Sequence, residues 1–188
     1  PRQVHGKAVV LPSTHSRLLP GDVIVTNNPL LGLAVQSADC VPLLIVDPTT
    51  RAVCAAHAGW RGLAAGVPLA AVQGLKKNFG SRGADLFVAL GPSIGACCYE
   101  VGRDVRDVFA AGFSAADLER WFSDEPTRLD TNPPMPNLTA NRRPEHWFFD
   151  GWKSVRDQLE AAGVPADHIF SADLCTASHP HVFCSYRR

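Results

Sequence analysis

Val41-Pro42-Leu43-Leu44-Ile45-Val46 is an unbroken apolar run, entered from Asp39-Cys40 and left through Asp47-Pro48. It is too short for a helix of useful length, and its β-branched residues and polar borders predict a strand. Leu86-Phe87-Val88-Ala89-Leu90 reads the same way. In both runs the continuity of apolar residues predicts a strand covered on both faces. Shorter runs at residues 8–11, 23–25, 31–35 and 52–56, each bounded by Gly, Pro, Asn or Asp, predict further strands. Asn27-Asn28-Pro29 and Asp47-Pro48 mark turns between them.

Outward from these strands the period changes. Leu63, Val67, Ala70, Ala71 and Leu75 share one face of a helix predicted over residues 63–78, with Gly80 as its stop. Val105, Val108 and Phe109 predict a second helix over 104–111, and residues 114–122 a short third. Residues 131–144, rich in Pro and Asn, predict a surface excursion. A helix follows over 152–162, ended by Gly163-Val164-Pro165. The tail, 169–188, predicts two short strands around a His179-Pro180-His181 turn. Regular β-α-β alternation is missing. The expected class is therefore α+β, with mixed β-sheets packed together and flanked by helices in a single domain over residues 1–188.

The composition excludes several functions. A chain of 188 residues, 46% of them hydrophobic, buries one sizeable core. With 18 Lys+Arg against 18 Asp+Glu the formal net charge is zero, so no global field steers it onto nucleic acid or an anionic membrane. The aliphatic run around Leu43 is far shorter than the roughly 20 residues a membrane span needs. The start, Pro1-Arg2-Gln3-Val4-His5, has no secretory features and no Met, which predicts a piece of a longer protein. The cysteines, at 40, 54, 97, 98, 175 and 184, lie mostly inside apolar runs instead of punctuating loops. That usage predicts a reduced, cytoplasmic protein in which Cys54, Cys97 and Cys98 are buried.

Reactive side chains gather beside glycine in three segments: Gln3-Val4-His5-Gly6, Ser37-Ala38-Asp39-Cys40 and Ala56-His57-Ala58-Gly59-Trp60-Arg61-Gly62. Taken singly, a His or Cys at a strand end is commonly a satisfied core residue. Taken together, Cys40 and His57 at the ends of neighbouring strands make either a nucleophile with its base or two legs of a metal site. A third ligand would decide between the two, and His5, ahead of the turn-permitting Gly6, is a candidate: it would complete a His2Cys set with one open position, the mark of a catalytic zinc.

The order of motifs resembles one family. His5-Gly6, Ser37-Ala38-Asp39-Cys40-Val41-Pro42, His57-Ala58-Gly59-Trp60-Arg61-Gly62, Gly91-Pro92-Ser93-Ile94, Cys98-Tyr99-Glu100-Val101-Gly102, Cys175-Thr176 and Ser185-Tyr186-Arg187-Arg188 are similar to the laccase-domain purine nucleoside phosphorylases, formerly described as multicopper polyphenol oxidoreductases. The match runs over essentially the whole chain, and family members extend further at both ends. The resemblance implies zinc held by His5, Cys40 and His57, with copper as second choice of metal. It implies phosphorolysis of adenosine, inosine, guanosine and methylthioadenosine, accompanied by adenosine deamination. A multicopper oxidase needs about four coppers on a His-rich ligand set. This chain has seven His and one His-X-His pair, His179 and His181, expected in a solvated loop.

Within that reading, Cys40 is a ligand and Asp39 orients a ligand or carries a proton. Arg61 offers a bidentate fork to phosphate, its plainer alternative being an ion pair with a structural carboxylate. Tyr99 stacks on or hydrogen-bonds the nucleoside, Arg187 and Arg188 are further phosphate candidates, and Trp60 is packing. The expected partners are purine nucleosides and phosphate, and the assembly a monomer or homodimer. The chain departs from the family at Asp150-Gly151 and Val155, where family members carry Asp-Leu and an Asn, and in the length of the 131–144 segment. Three alternatives stay open: a Cys-His hydrolase or amidase using Cys40 as nucleophile, which extends to editing of cell-wall precursors; a zinc-stabilised binding module; and a copper-dependent polyphenol oxidase.

Overall fold

The structure, a computed structural model, describes residues 1–12, 19–127, 129–133 and 143–187. Its centre is the antiparallel pair β3 (Val41–Asp47) and β4 (Ala52–Ala58), joined by a turn in which Arg51 takes a φ of 57°. β2 (Val23–Thr26) pairs antiparallel with β4, and β1 (Val9–Val10) lies parallel beside β2. On the other side β5 (Phe87–Leu90) pairs antiparallel with β3, and β9 (Ile169–Ser171) lies parallel to β5. The result is a six-stranded mixed sheet ordered β1-β2-β4-β3-β5-β9. A three-stranded antiparallel sheet, ordered β6-β8-β7, comprises β6 (Glu100–Gly102), β8 (His146–Phe149) and β7 (Phe122–Ser123). The expected α+β class with mixed sheets and flanking helices is the observed one.

The helix expected over 63–78 is two helices, α1 (Trp60–Ala65) and α2 (Val67–Phe79). Gly66 between them has φ of 87°, a left-handed conformation that costs glycine little, and its N–H caps the Gly62 and Leu63 carbonyls. α2 buries Val67, Ala71, Val72 and Leu75 against β2 and β4. α3 (Arg103–Ala110) and α5 (Gly151–Ala161) fall where the periodicity placed them. α4 (Ala115–Trp121) opens with a capping box in which Ser114 and Asp117 each accept the other's backbone N–H. Phe109, Trp121, Phe122 and Phe149 pack ring to ring between the helices and the small sheet, continuous with the core of the large one.

Three expectations are corrected. Residues 31–35 form no strand: Leu30 is 89% exposed, and the segment crosses the surface as a loop held by Gln36 and Gln3, which bond through side chain and backbone in both directions. β3 and β5 are not covered on both faces. Leu43, Ile45, Val88 and Leu90 are buried, whereas their alternates Leu44, Val46 and Phe87 are 54%, 44% and 37% exposed. The helices cover one face, and a continuous apolar run carries no signal of which face that is. The tail contributes one strand, β9; beyond it Cys175 makes a single bridge to Ser93, and residues 176–178 form a turn. Of the 131–144 segment, residues 134–142 lie outside the described residues, while Asn132 is buried. No described helix is long and apolar enough to cross a membrane.

Candidate metal centre

The site grows out of strand register. Pro42 of β3 stands opposite His57 of β4 and Val41 opposite Ala58, so two steps beyond Pro42 Cys40 falls opposite Gly59. Val23 stands opposite Ala56, so Asp22, just ahead of β2, falls opposite His57, and the His57 N–H donates to the Asp22 carbonyl at 2.8 Å. His5 arrives from the amino-terminal segment with φ of 59°. That conformation is held by Asp22, whose carboxylate accepts the N–H groups of Val4, His5 and Gly6 at 3.1, 3.0 and 2.8 Å. The same carboxylate, fully buried, lies 2.9 Å from His57 Nδ1. An ionised carboxylate only accepts, so Nδ1 is the donor in this bond and Nε2 is the nitrogen left for a ligand.

His5, Cys40 and His57 are thereby brought together, their ligand atoms all within 4.8 Å of one another. Bonds of about 2.0–2.1 Å to nitrogen and about 2.3 Å to sulfur set tetrahedral ligand separations of roughly 3.4–3.6 Å, and Cys40 Sγ lies 3.8 Å from His5 Nε2. Two imidazoles and a thiol converging at this spacing can hold a metal ion. Gly59 closes the cluster from beneath: a Cβ there would lie 2.8 Å from both Cys40 Sγ and His5 Cδ2. Burial and the neighbouring His57 ring lower the His5 pKa, which keeps its ring neutral and free to ligate at neutral pH. Burial, Asp39 and Asp22 push the Cys40 thiol up to about 11. Such a thiol is a weak nucleophile at neutral pH, whereas a coordinating metal ion deprotonates it outright.

The cluster opens on a cavity of about 930 Å³ whose walls include Asp39, Trp60, Arg61, Tyr99, Tyr186 and Arg187. Asp39, at φ of 82°, is buried, and its carboxylate accepts from Thr176 Oγ1 at 2.6 Å, Ser185 Oγ at 3.1 Å and the Arg187 N–H at 3.0 Å. It ties the tail to the Cys40 loop, where the Ser37 hydroxyl also donates to the Cys40 carbonyl. The Arg187 guanidinium lies 5.2 Å from the Tyr99 ring centre, and Arg61 stacks 4.2 Å over Trp60. Arg61 pairs with no carboxylate among the described residues, so the ion-pair alternative for it is not realised there. Trp60 packs on the core, as expected, and also lines the cavity. Arg188 lies outside the described residues.

Sequence reading missed Asp22. Its signal was a carboxylate immediately ahead of a strand that would pair with the His57 strand, legible only once the pairing is known. A second cluster, Cys97, Cys98 and Cys175, is buried, and its sulfur atoms also lie within 4.8 Å of one another. All six cysteines are free, and Cys54 is buried as expected. His179 and His181 join neither cluster; His179 Nδ1 lies 2.9 Å from the Cys175 carbonyl oxygen and His181 is exposed.

A mixed sheet with a His-Cys-His cluster at the open end of its central strands defines a metal-competent domain. The chain belongs to the multi-copper polyphenol oxidoreductase laccase family, whose model matches residues 1–188. It is 37% identical over 186 residues to the purine nucleoside phosphorylase PA4543 of Pseudomonas aeruginosa, covering 99% of this chain and 66% of that protein. It is 32% identical over 170 residues to a purine nucleoside phosphorylase of Bacteroides thetaiotaomicron, covering 89% of this chain and 55% of that protein. Among solved structures, YlmD from Geobacillus stearothermophilus superposes with a TM-score of 0.78 at 31% identity, covering 99% of this chain and 66% of that one. The chain thus spans about half to two thirds of the length of these relatives.

Proposed function

We propose that this chain forms most of the catalytic domain of a zinc-dependent purine nucleoside phosphorylase, a cytoplasmic enzyme taking adenosine, inosine, guanosine or methylthioadenosine and also deaminating adenosine. The observation that carries this reading is the convergence of His5, Cys40 and His57 on a cavity that presents three arginines, Arg2, Arg61 and Arg187, and two tyrosines. The relatives named purine nucleoside phosphorylases support the activity.

In this proposal His5, Cys40 and His57, which line the cavity, would hold the metal. A zinc ion held by these three residues would supply Lewis-acid chemistry toward an oxygen nucleophile. Zinc is preferred to copper because the buried Asp22–His57 pair is the carboxylate–histidine arrangement that accompanies zinc, and because the cluster opens on a space of substrate size. Arg61 and Arg187 supply the forks that would bind phosphate and bring it to the anomeric carbon of the ribose. Tyr99 and Tyr186 offer faces and hydroxyls for the nucleoside. Asp39 fixes the loop carrying Cys40 against the segment carrying Arg187, as a positioning residue. The products would be the free base and ribose 1-phosphate.

A Cys40 nucleophile with His57 as base is the weaker reading, since burial, Asp39 and Asp22 push the Cys40 thiol up to about 11 and leave it a weak nucleophile at neutral pH. The test is elemental analysis of the purified protein beside a phosphate-dependent adenosine cleavage assay before and after chelation. About one zinc in this cluster per chain, with adenine release lost on chelation, supports the proposal. Protein that carries no metal and releases no adenine overturns it.

A further inference from the structure

We propose that Cys97, Cys98 and Cys175 form a second metal site, buried and bound through sulfur alone, for a soft ion of the Zn2+ or Cu+ kind. The three residues are 4%, 2% and 0% exposed, and their sulfur atoms lie within 4.8 Å of one another. Among the described residues no imidazole or carboxylate belongs to the cluster, and a donor set of thiolates without hard ligands selects soft ions.

The surroundings are built for a fixed geometry. The Gly95 N–H donates to Cys175 Sγ at 3.3 Å. Ser178 Oγ stands 3.6 Å from Cys97 Sγ and 3.5 Å from Cys98 Sγ, a neutral oxygen on the remaining side. The Cys175 N–H donates to the buried Asn132 side chain at 2.6 Å, and the Asn132 amide donates to the Asp173 carbonyl at 2.8 Å. Thr176 N donates to the Ser93 carbonyl and Ser93 N to that of Leu174, which locks the Cys175 segment to the loop between β5 and β6 that carries the other two cysteines. Gly95 is pressed onto Trp152, whose indole donates to Ser93 Oγ at 2.6 Å. Ligands held by a saturated frame need little reorganisation to bind. Cys97 also borders a cavity of about 340 Å³ lined by Trp152, Lys153 and Arg156, a route by which an ion enters.

The site is distinct from the His-Cys-His cluster but connected to it through the chain. Cys98 precedes Tyr99, and Cys175 precedes Thr176, the donor to Asp39. A buried metal ion joining these two segments would act as a structural clasp beneath the cavity wall. Each thiol that ligates releases its proton to solvent, so binding is favoured by rising pH.

The experiment titrates metal-free, fully reduced protein under argon with Zn2+ and, separately, with Cu+, and measures retained metal by elemental analysis. The proposal expects about two ions per chain with at least one of these metals, one for each cluster. His57→Ala and Cys175→Ser would then each remove one ion, and Cys175→Ser the one that His57→Ala keeps. Saturation at one ion with both metals, or a second ion that survives Cys175→Ser, overturns it. Cobalt titration of the wild-type protein needs no variant. The sulfur-to-cobalt absorption at saturation should be roughly fourfold that of a single thiolate ligand, from four coordinating sulfurs in two sites; a single-thiolate intensity overturns the proposal. Because His57→Ala isolates the sulfur site, the result does not depend on the proposed enzymatic activity.

Discussion

His57 Nδ1 and Asp22 Oδ1 lie 2.9 Å apart with both side chains buried, and the same Asp22 carboxylate gathers three successive N–H groups around His5. One carboxylate therefore sets the ring orientation of one candidate ligand and the backbone of another. Asp22→Asn should weaken metal binding by about 10–100-fold. Competition with a chromophoric chelator measures this, and an unchanged affinity would show that Asp22 does not orient the ligands.

Gly59 is required by contact and not by conformation. Its φ of −72° suits any residue, yet a Cβ would lie 2.8 Å from both Cys40 Sγ and His5 Cδ2. Gly59→Ala should lose metal while keeping the cooperative unfolding of the wild type, since the displaced groups belong to the site and not to the main core. Elemental analysis with circular dichroism on the same sample tests both halves.

Arg61 lines the cavity with no carboxylate partner among the described residues. Loss of a charge-assisted bond worth about 1.5–3 kcal/mol should lower kcat/KM for phosphate by roughly 10–150-fold in Arg61→Ala. Arg61→Lys should recover little, because an ammonium cannot copy the fork. Full recovery with Lys would mean that charge alone matters.

Asp47 ends β3 and ties the turn that follows, accepting the N–H groups of Thr49 and Thr50 and the Thr50 hydroxyl at 2.8, 3.2 and 2.7 Å. Burial alone would raise its carboxyl, but these bonds and Ser81 outweigh it and hold the pKa below the ordinary 3.8. A carboxylate depressed in the folded state stabilises it above the unfolded pKa and stops doing so as pH falls through the folded one. Wild type should therefore melt above Asp47→Asn at neutral pH, with the gap closing below about pH 4. A gap independent of pH would contradict this.

The two faces of β3 should respond differently. Leu43 is fully buried, and Leu43→Ala should cost about 2–5 kcal/mol in denaturant unfolding. Leu44, 54% exposed, should tolerate Thr within about 0.5 kcal/mol.

Much of this protein was legible in residue order. The strands at 41–46 and 52–56, the helices at 104–111 and 152–162, and the grouping of His5, Cys40 and His57 all follow from local pattern, because hydrophobic period, turn residues and glycine-flanked reactive groups are local signals. Residues 31–35 show the limit. Their apolar character is that of a strand, but a strand exists only where a neighbour supplies hydrogen bonds, and none of the paired strands reaches them. The small sheet escaped notice for the related reason that its strands are two to four residues long, too short for a period.

The sequence by itself determined the α+β class, the burial of most of the cysteines and the identity of the three candidate ligands. Tertiary structure alone decided that Asp22 stands opposite His57, that Asp39 is spent on Thr176, Ser185 and Arg187, and that Cys175 meets Cys97 and Cys98 from far along the chain. The physical reason is register. Which residues face each other across a sheet depends on pairing between distant strands, and a shift of one residue would turn His57 to the other face, while the Asp39 and Cys175 contacts lie in loops brought together only by the fold.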